Sequence, residues 1–197
     1  AIKQLKGKEK GYFLMVEGGR IDHALHDTNA KRALQDTLAF DNAILAAINE
    51  VKKTDPELKN TLIVVTADHD HTLVLNGYAK RTGKTTAGNA GVLGLVKNYE
   101  TGEPSKDSDG MPYTIIGFGN GYNRVDGPRS SVAALDDATT SADDYHQEVV
   151  VKVGEIGNET HGGTDVFLGA IGQGAERFHG SLDNTAVFGK IKAAAKL

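Results

Sequence analysis

Apolar positions along this chain follow two different periods, and the two alternate. Tyr12-Phe13-Leu14-Met15-Val16 is a short continuous apolar run, and Thr61-Leu62-Ile63-Val64-Val65 is a second. Runs of this length bounded by glycine or polar punctuation read as buried strands. Between them, from Ala30 to about Lys53, Leu34, Leu38, Ile44 or Leu45, Ile48 and Val51 recur at three- and four-residue steps, with Lys31, Gln35, Asn42 and Lys52 interspersed. That spacing predicts an amphipathic helix. Asp27 or Asn29 is placed to cap it, and Asp55-Pro56 to stop it. Strand, helix, strand over this distance predicts a βαβ crossover, hence a parallel pair with a right-handed connection.

The pattern changes after residue 71. From Thr72 to Glu159 glycines recur and Thr101-Gly102-Glu103-Pro104-Ser105 leads into the polar turn Lys106-Asp107-Ser108-Asp109-Gly110. This composition predicts loops and turns, interrupted by one strand over Tyr113–Phe118. The apolar run Val166-Phe167-Leu168-Gly169-Ala170 predicts a return to the sheet. Asn184–Ala195 then reads as a terminal helix capped by Asp183, with Val187, Ile191 and Ala194 on its inner face. The expected fold class is therefore α/β, a mostly parallel sheet flanked by helices, incomplete, with a loop-rich insertion. Residues 1–71 form the first part of the core, 72–159 the excursion, and 160–197 the return.

Composition narrows the chemistry. The chain has no cysteine, so disulfides and thiolate zinc sites are excluded and any metal is held by nitrogen and oxygen. It has no run of 18 apolar residues, which argues against a membrane-spanning helix. A formal charge of −4 argues against non-specific nucleic-acid binding. The opening Ala1-Ile2-Lys3-Gln4-Leu5-Lys6 resembles the tail of an amphipathic helix, which suggests the later part of a longer precursor.

The candidate chemistry collects at predicted strand ends, where open α/β sheets bind their ligands. After Val65 comes Thr66-Ala67-Asp68-His69-Asp70-His71, and after Val16 comes Glu17-Gly18-Gly19-Arg20-Ile21-Asp22-His23-Ala24-Leu25-His26. Asp22 and His26 stand four apart, which on a helical turn puts both on one face. Glu17, Asp22, His26, Asp68, His69, His71 and His161 make seven potential ligands for divalent ions. Each taken singly is more simply a polar residue on a solvated loop. Together they outnumber the three or four protein ligands of one zinc, so the count suits two metals, with Glu17 left for a harder ion such as magnesium. His146 and His179 fall outside any ligand spacing. Arg124 and Arg129, near glycines and a proline, have the chemistry to bind an anion, but loop arginines usually just face water.

Three segments, Val16-Glu17-Gly18-Gly19-Arg20-Ile21-Asp22-His23 through His26, Thr66-Ala67-Asp68-His69-Asp70-His71 and Glu159-Thr160-His161-Gly162-Gly163-Thr164-Asp165-Val166, resemble those of alkaline phosphatases and occur in that family's order. Pro112-Tyr113-Thr114, Gly119-Asn120-Gly121-Tyr122 and Asp144-Tyr145-His146-Gln147 resemble the intervening region of the animal-type branch. The resemblance implies that Asp22, His26 and His161 hold one zinc. It implies that Asp68 and His69 belong to a second zinc and Glu17 to a magnesium, giving two Zn2+ and one Mg2+. It places His71 beside the ligands as an orienting residue, and His23 near the phosphate. The excursion would contain the crown, a subunit-contact and active-site-rim element.

The resemblance also implies a reaction, the hydrolysis of phosphate monoesters to inorganic phosphate by two-metal catalysis through a serine nucleophile. That serine, the metal-bridging aspartate before it, a magnesium-binding threonine and a phosphate-clamping arginine have no counterpart here. Asp107-Ser108-Asp109 sits in a turn without the strand-to-helix setting a nucleophile needs. The chain thus resembles the C-terminal portion only, inactive alone, with the N-terminal half of the same enzyme as its partner. The alternative is a stand-alone metal-binding segment without turnover. Family resemblance further implies a homodimer in the periplasm or outside the cell.

Overall fold

Gly18 and Gly19 release the chain into a seven-residue helix, α1 (Arg20–His26), that carries Asp22 and His26 one turn apart. Thr28 follows in the left-handed region, with φ of 54°. The reversal is held by bonds from Thr28 N to Leu25 O and from Asn29 N to Ala24 O. Asn29 then starts α2 (Ala30–Val51), its Oδ1 accepting from Arg32 N. The helix expected over Ala30 to about Lys53 is present, with Asn29 rather than Asp27 as its cap; Asp27 instead pairs with Arg32 at 2.9 Å. A computed structural model describes residues 1–196 and divides into two units.

The first unit comprises Ala1–Glu17, Ala39–Asp70 and the chain from Gly163 onward. Its strands are β1 (Leu62–Thr66) and the one formed by Leu168–Gly172, and they pair antiparallel from Leu62↔Gly172 to Thr66↔Leu168. Asp55 ties the end of α2 to β1 by accepting from Lys59 N, Asn60 N and Thr61 Oγ1. At the other end of the pair, Gly172 has φ of 93°, and a Cβ there would lie 2.0 Å from Thr61 O, so only glycine fits. The terminal helix runs Asn184–Ala195 behind Asp183, whose side chain accepts from Thr185 N. Among the described residues, Val51, Leu58, Phe178 and Ala194 are the buried apolar residues of this unit.

The expected parallel sheet is not what forms here. Tyr12–Val16 is not a strand: it lies in no ladder, and Phe13, Met15 and Val16 are 77%, 70% and 60% exposed. An apolar run states which side chains seek burial, but a strand also needs a neighbouring backbone for its N–H and C=O groups. That neighbour is not encoded in the periodicity. Along α2, Leu34, Leu38 and Leu45 are likewise exposed.

The second unit comprises Gly18–Leu38 and His71–Gly162. Its three-stranded sheet has β2 (Leu73–Leu75) antiparallel to β3 (Ile116–Gly121), and β3 parallel to β4 (Val149–Lys152). We number the Leu168–Gly172 strand β5. Among the described residues there are five strands and only the β3–β4 pair is parallel, which corrects the mostly parallel expectation. The stretch read as loops with one strand therefore carries a sheet of its own. The core of this unit is Ala30, Leu93, Ile116, Phe118 and Val149, with Leu25, Leu73 and Ile115 packed against it. Alternation along β3 explains the choice: Ile116 and Phe118 face this core while glycines occupy the other face. At the end of the strand Gly121 adopts φ of 147°, and a Cβ there would sit 2.7 Å from Thr28 Cγ2 and 2.9 Å from Cγ1 of the core residue Val149. Arg129 binds the loops together, pairing with Glu148 at 2.6 Å and Asp107 at 2.5 Å and donating to Pro112 O.

Candidate metal centre

Three segments of the second unit are knitted into one place by backbone bonds. Glu159 N donates to His26 O, and His71 and His161 face each other as an isolated antiparallel bridge. The 159–161 segment is also fastened to β3, because Asn120 Oδ1 accepts from Thr160 N at 3.0 Å while Asn120 Nδ2 donates to Thr160 Oγ1 at 2.7 Å. Asp22 and His26 arrive on the same face of α1, as helical spacing requires.

The result is a group of Asp22, His26, His71 and His161 with ligand-capable atoms all within 4.8 Å of one another. Within it, three atoms converge most closely. His26 Nε2 lies 3.2 Å from His161 Nε2 and 3.3 Å from Asp22 Oδ1, and His161 Nε2 lies 3.5 Å from Asp22 Oδ1. A tetrahedral zinc with bonds of about 2.0–2.1 Å would separate its ligand atoms by about 3.3–3.4 Å. The triangle already has the edges of such a coordination shell. The donor set fits as well, since two imidazole nitrogens and one carboxylate oxygen are ligands zinc takes, leaving a fourth position open.

Tautomers follow from partners. His26 Nδ1 bonds to the backbone carbonyl of Glu159. A carbonyl only accepts, so Nδ1 carries a proton, and whenever the ring is neutral its Nε2 lone pair faces the triangle. His71 is held at both ends, its Nδ1 at 2.6 Å from Glu159 Oε2 and its Nε2 at 3.0 Å from Asp22 Oδ1. Its side chain is 4% exposed. Burial works to raise the Asp22 pKa, and the imidazoles of His26, His71 and His161 together overcome this and hold the carboxyl below its ordinary range.

The other residues singled out in the sequence are described each in its own unit. His23 is on α1 but one position round from Asp22, and faces outward, exposed. Asp68 and His69 belong to the first unit, where they approach each other at 3.4 Å with Asp68 88% exposed. Glu17 is also in the first unit and exposed. Asp70, in the same hexapeptide, receives Thr164 N and Thr164 Oγ1. His146 is a packing residue whose Nδ1 donates to Asp27 O. Arg129 does not face water, as its three-sided pairing shows. Asp107 is a turn residue taking Asp109 N, Met111 N and Arg129.

In the sequence Glu159 stands out only as part of a motif, yet its side chain is fully buried against His71. Its signal was its position two residues before His161, which is too common an arrangement in acidic loops to stand out.

The family model for alkaline phosphatase matches residues 1–197. Over 182 residues the chain is 39% identical to the tissue-nonspecific isozyme of alkaline phosphatase from Rattus norvegicus, covering 91% of this chain and 30% of that protein. Over 198 residues it is 36% identical to a membrane-bound alkaline phosphatase from Bombyx mori, covering 99% and 32%. An alkaline phosphatase from Gadus morhua is 37% identical over 182 residues, covering 91% and 33%. The chain thus spans about a third of the length of these curated relatives, and by a match along its whole length it belongs to the alkaline phosphatase family.

Proposed function

We propose that this chain is the metal-holding C-terminal part of a phosphomonoesterase, an alkaline phosphatase whose serine nucleophile is supplied by an upstream segment. The observation that carries the reading is the triangle of Asp22 Oδ1, His26 Nε2 and His161 Nε2, with edges of 3.2 to 3.5 Å. These three residues hold one zinc. Family resemblance adds Asp68 and His69 for a second zinc and Glu17 for magnesium. Bound divalent ions supply Lewis-acid stabilisation to the oxygens of a phosphate ester.

The chain's own residues have definite tasks in this reading. Asp22 and the two imidazoles present unshared electron pairs toward one point, and α1 fixes the spacing of two of them. His71 keeps Asp22 Oδ1 aimed by a hydrogen bond from the side. His161, half-exposed on its loop, leaves an open approach for a phosphate group. Family resemblance assigns His23, exposed next to Asp22 on α1, to the phosphate vicinity. Substrates are phosphate monoesters and the product is inorganic phosphate. No helix among the described residues is long and apolar enough to cross a membrane. Family resemblance supports action in the periplasm or outside the cell, as a homodimer.

A second reading has one observation in its favour: the four-residue group is built wholly within the second unit. Metal binding then needs nothing beyond this chain, and the segment would bind an ion without turnover. Hydrolysis of an aryl phosphate separates the two readings. The chain is assayed with zinc and magnesium, alone and after co-expression with an upstream segment carrying the family's serine. Hydrolysis only on co-expression supports the phosphatase reading, and zinc binding without hydrolysis in either sample supports the second.

A further inference from the structure

Glu159 has a fully buried side chain. Its Oε1 accepts from Thr72 N at 2.8 Å and from Thr72 Oγ1 at 2.6 Å, while its Oε2 takes His71 Nδ1 at 2.6 Å. The carbonyl of the same residue receives His26 Nδ1. One residue thus reaches the two imidazoles that flank Asp22, by side chain on one side and by main chain on the other. Buried carboxylates persist where their oxygens are fully paired. A purely structural cap on Thr72 would occupy one oxygen, and here the second oxygen is spent on His71.

We infer that Glu159 is a positioning residue of the metal centre, acting through the chain Glu159–His71–Asp22 to fix the direction in which Asp22 Oδ1 points. The inference rests on the reading of Asp22, His26 and His161 as zinc ligands. His71 Nε2 stands 3.0 Å from Asp22 Oδ1, the same oxygen that closes the triangle with His26 and His161. A ring held at Nδ1 by a buried carboxylate cannot rotate away from that oxygen. The rotamer freedom of Asp22 is therefore removed before an ion arrives, and binding need not supply that ordering. Asn120 and Thr160 anchor the loop that carries Glu159, so the device is tied to β3.

The test uses the full chain and zinc alone as the probe. Glu159→Gln keeps an oxygen for Thr72 and removes the acceptor facing His71 Nδ1. Zinc affinity should fall by about 10–100-fold, the range for outer partners of metal ligands. The far-UV circular dichroism and thermal unfolding midpoint in EDTA should stay near wild type. In a His71→Phe background the same substitution should cause no further loss, because the link it breaks is already gone. His71→Phe alone should lose a similar factor, which keeps the inference testable if the Glu159 variant does not fold. Wild-type affinity in Glu159→Gln or in His71→Phe, or an equal loss in both backgrounds, overturns the positioning role while leaving the ligand reading intact. Failure of the wild-type chain to bind zinc overturns both.

Discussion

His26 and His161 are 135 residues apart in the chain, yet their Nε2 atoms face each other at 3.2 Å, with Asp22 Oδ1 completing the triangle. The pairing of His26 Nδ1 with a carbonyl leaves its Nε2 as the inward atom. Removing any corner of the triangle leaves two ligands, too few for a zinc site of this kind. Asp22→Ala or His161→Ala should each reduce bound zinc by one ion per chain, read by atomic emission after dialysis. Retention of full zinc content by either variant would show that the ligands lie elsewhere.

Close packing around Gly121 gives a second expectation. Its φ of 147° and the short approaches to Thr28 Cγ2 and Val149 Cγ1 leave no room for a side chain. Gly121→Ala should destabilise the chain by about 1–3 kcal/mol. Gly88→Ala, where a new Cβ meets nothing within 4 Å, should change stability by no more than about 0.5 kcal/mol. Urea unfolding of both variants checks the contrast.

Acid sensitivity should trace in part to Asp107. Its hydrogen bond to Arg129, joined by Met111 N and Asp109 N, holds its carboxyl below the ordinary range. A folded-state pKa below the unfolded value means stability that is fully present above about pH 4. That stability is lost as pH falls through the lower folded-state value. Asp107→Asn should therefore be less stable than wild type at neutral pH, and the gap should close as pH falls toward 2. A gap unchanged with pH would mean the contact is not ionic.

The exposed apolar face of α2 predicts behaviour in solution. Leu38 and Leu45 are 63% and 53% exposed. Leu38→Lys with Leu45→Lys should change unfolding free energy by no more than about 0.5 kcal/mol per site. If this face drives association of the chain, the double variant should shift toward smaller species in light scattering.

Local signals in the sequence translated well, and pairing did not. The helix of Asn184–Ala195 with its Asp183 cap, the long helix from Ala30, and the shared face of Asp22 and His26 all follow from spacing within one segment. The partner of β1 does not, because Leu62–Thr66 reads the same whether its neighbour is Tyr12–Val16 or Leu168–Gly172. β2 and β4 are three and four residues long, too short for a periodic signal, and both fall in stretches that read as loop, whereas the strand expected at Tyr113–Phe118 overlaps β3. In the site, Asp22, His26 and His161 are legible because imidazoles and carboxylates at such spacings stand out in a sequence. Glu159 was not, since its importance lies in burial and in a bond to His71, which only the fold creates.

The most direct measurement is anomalous X-ray scattering at the zinc edge from crystals of the chain grown with zinc. The expectation is a peak about 2.0–2.2 Å from each of Asp22 Oδ1, His26 Nε2 and His161 Nε2. A zinc peak bound elsewhere, with these three atoms beyond bonding distance of any ion, would contradict it.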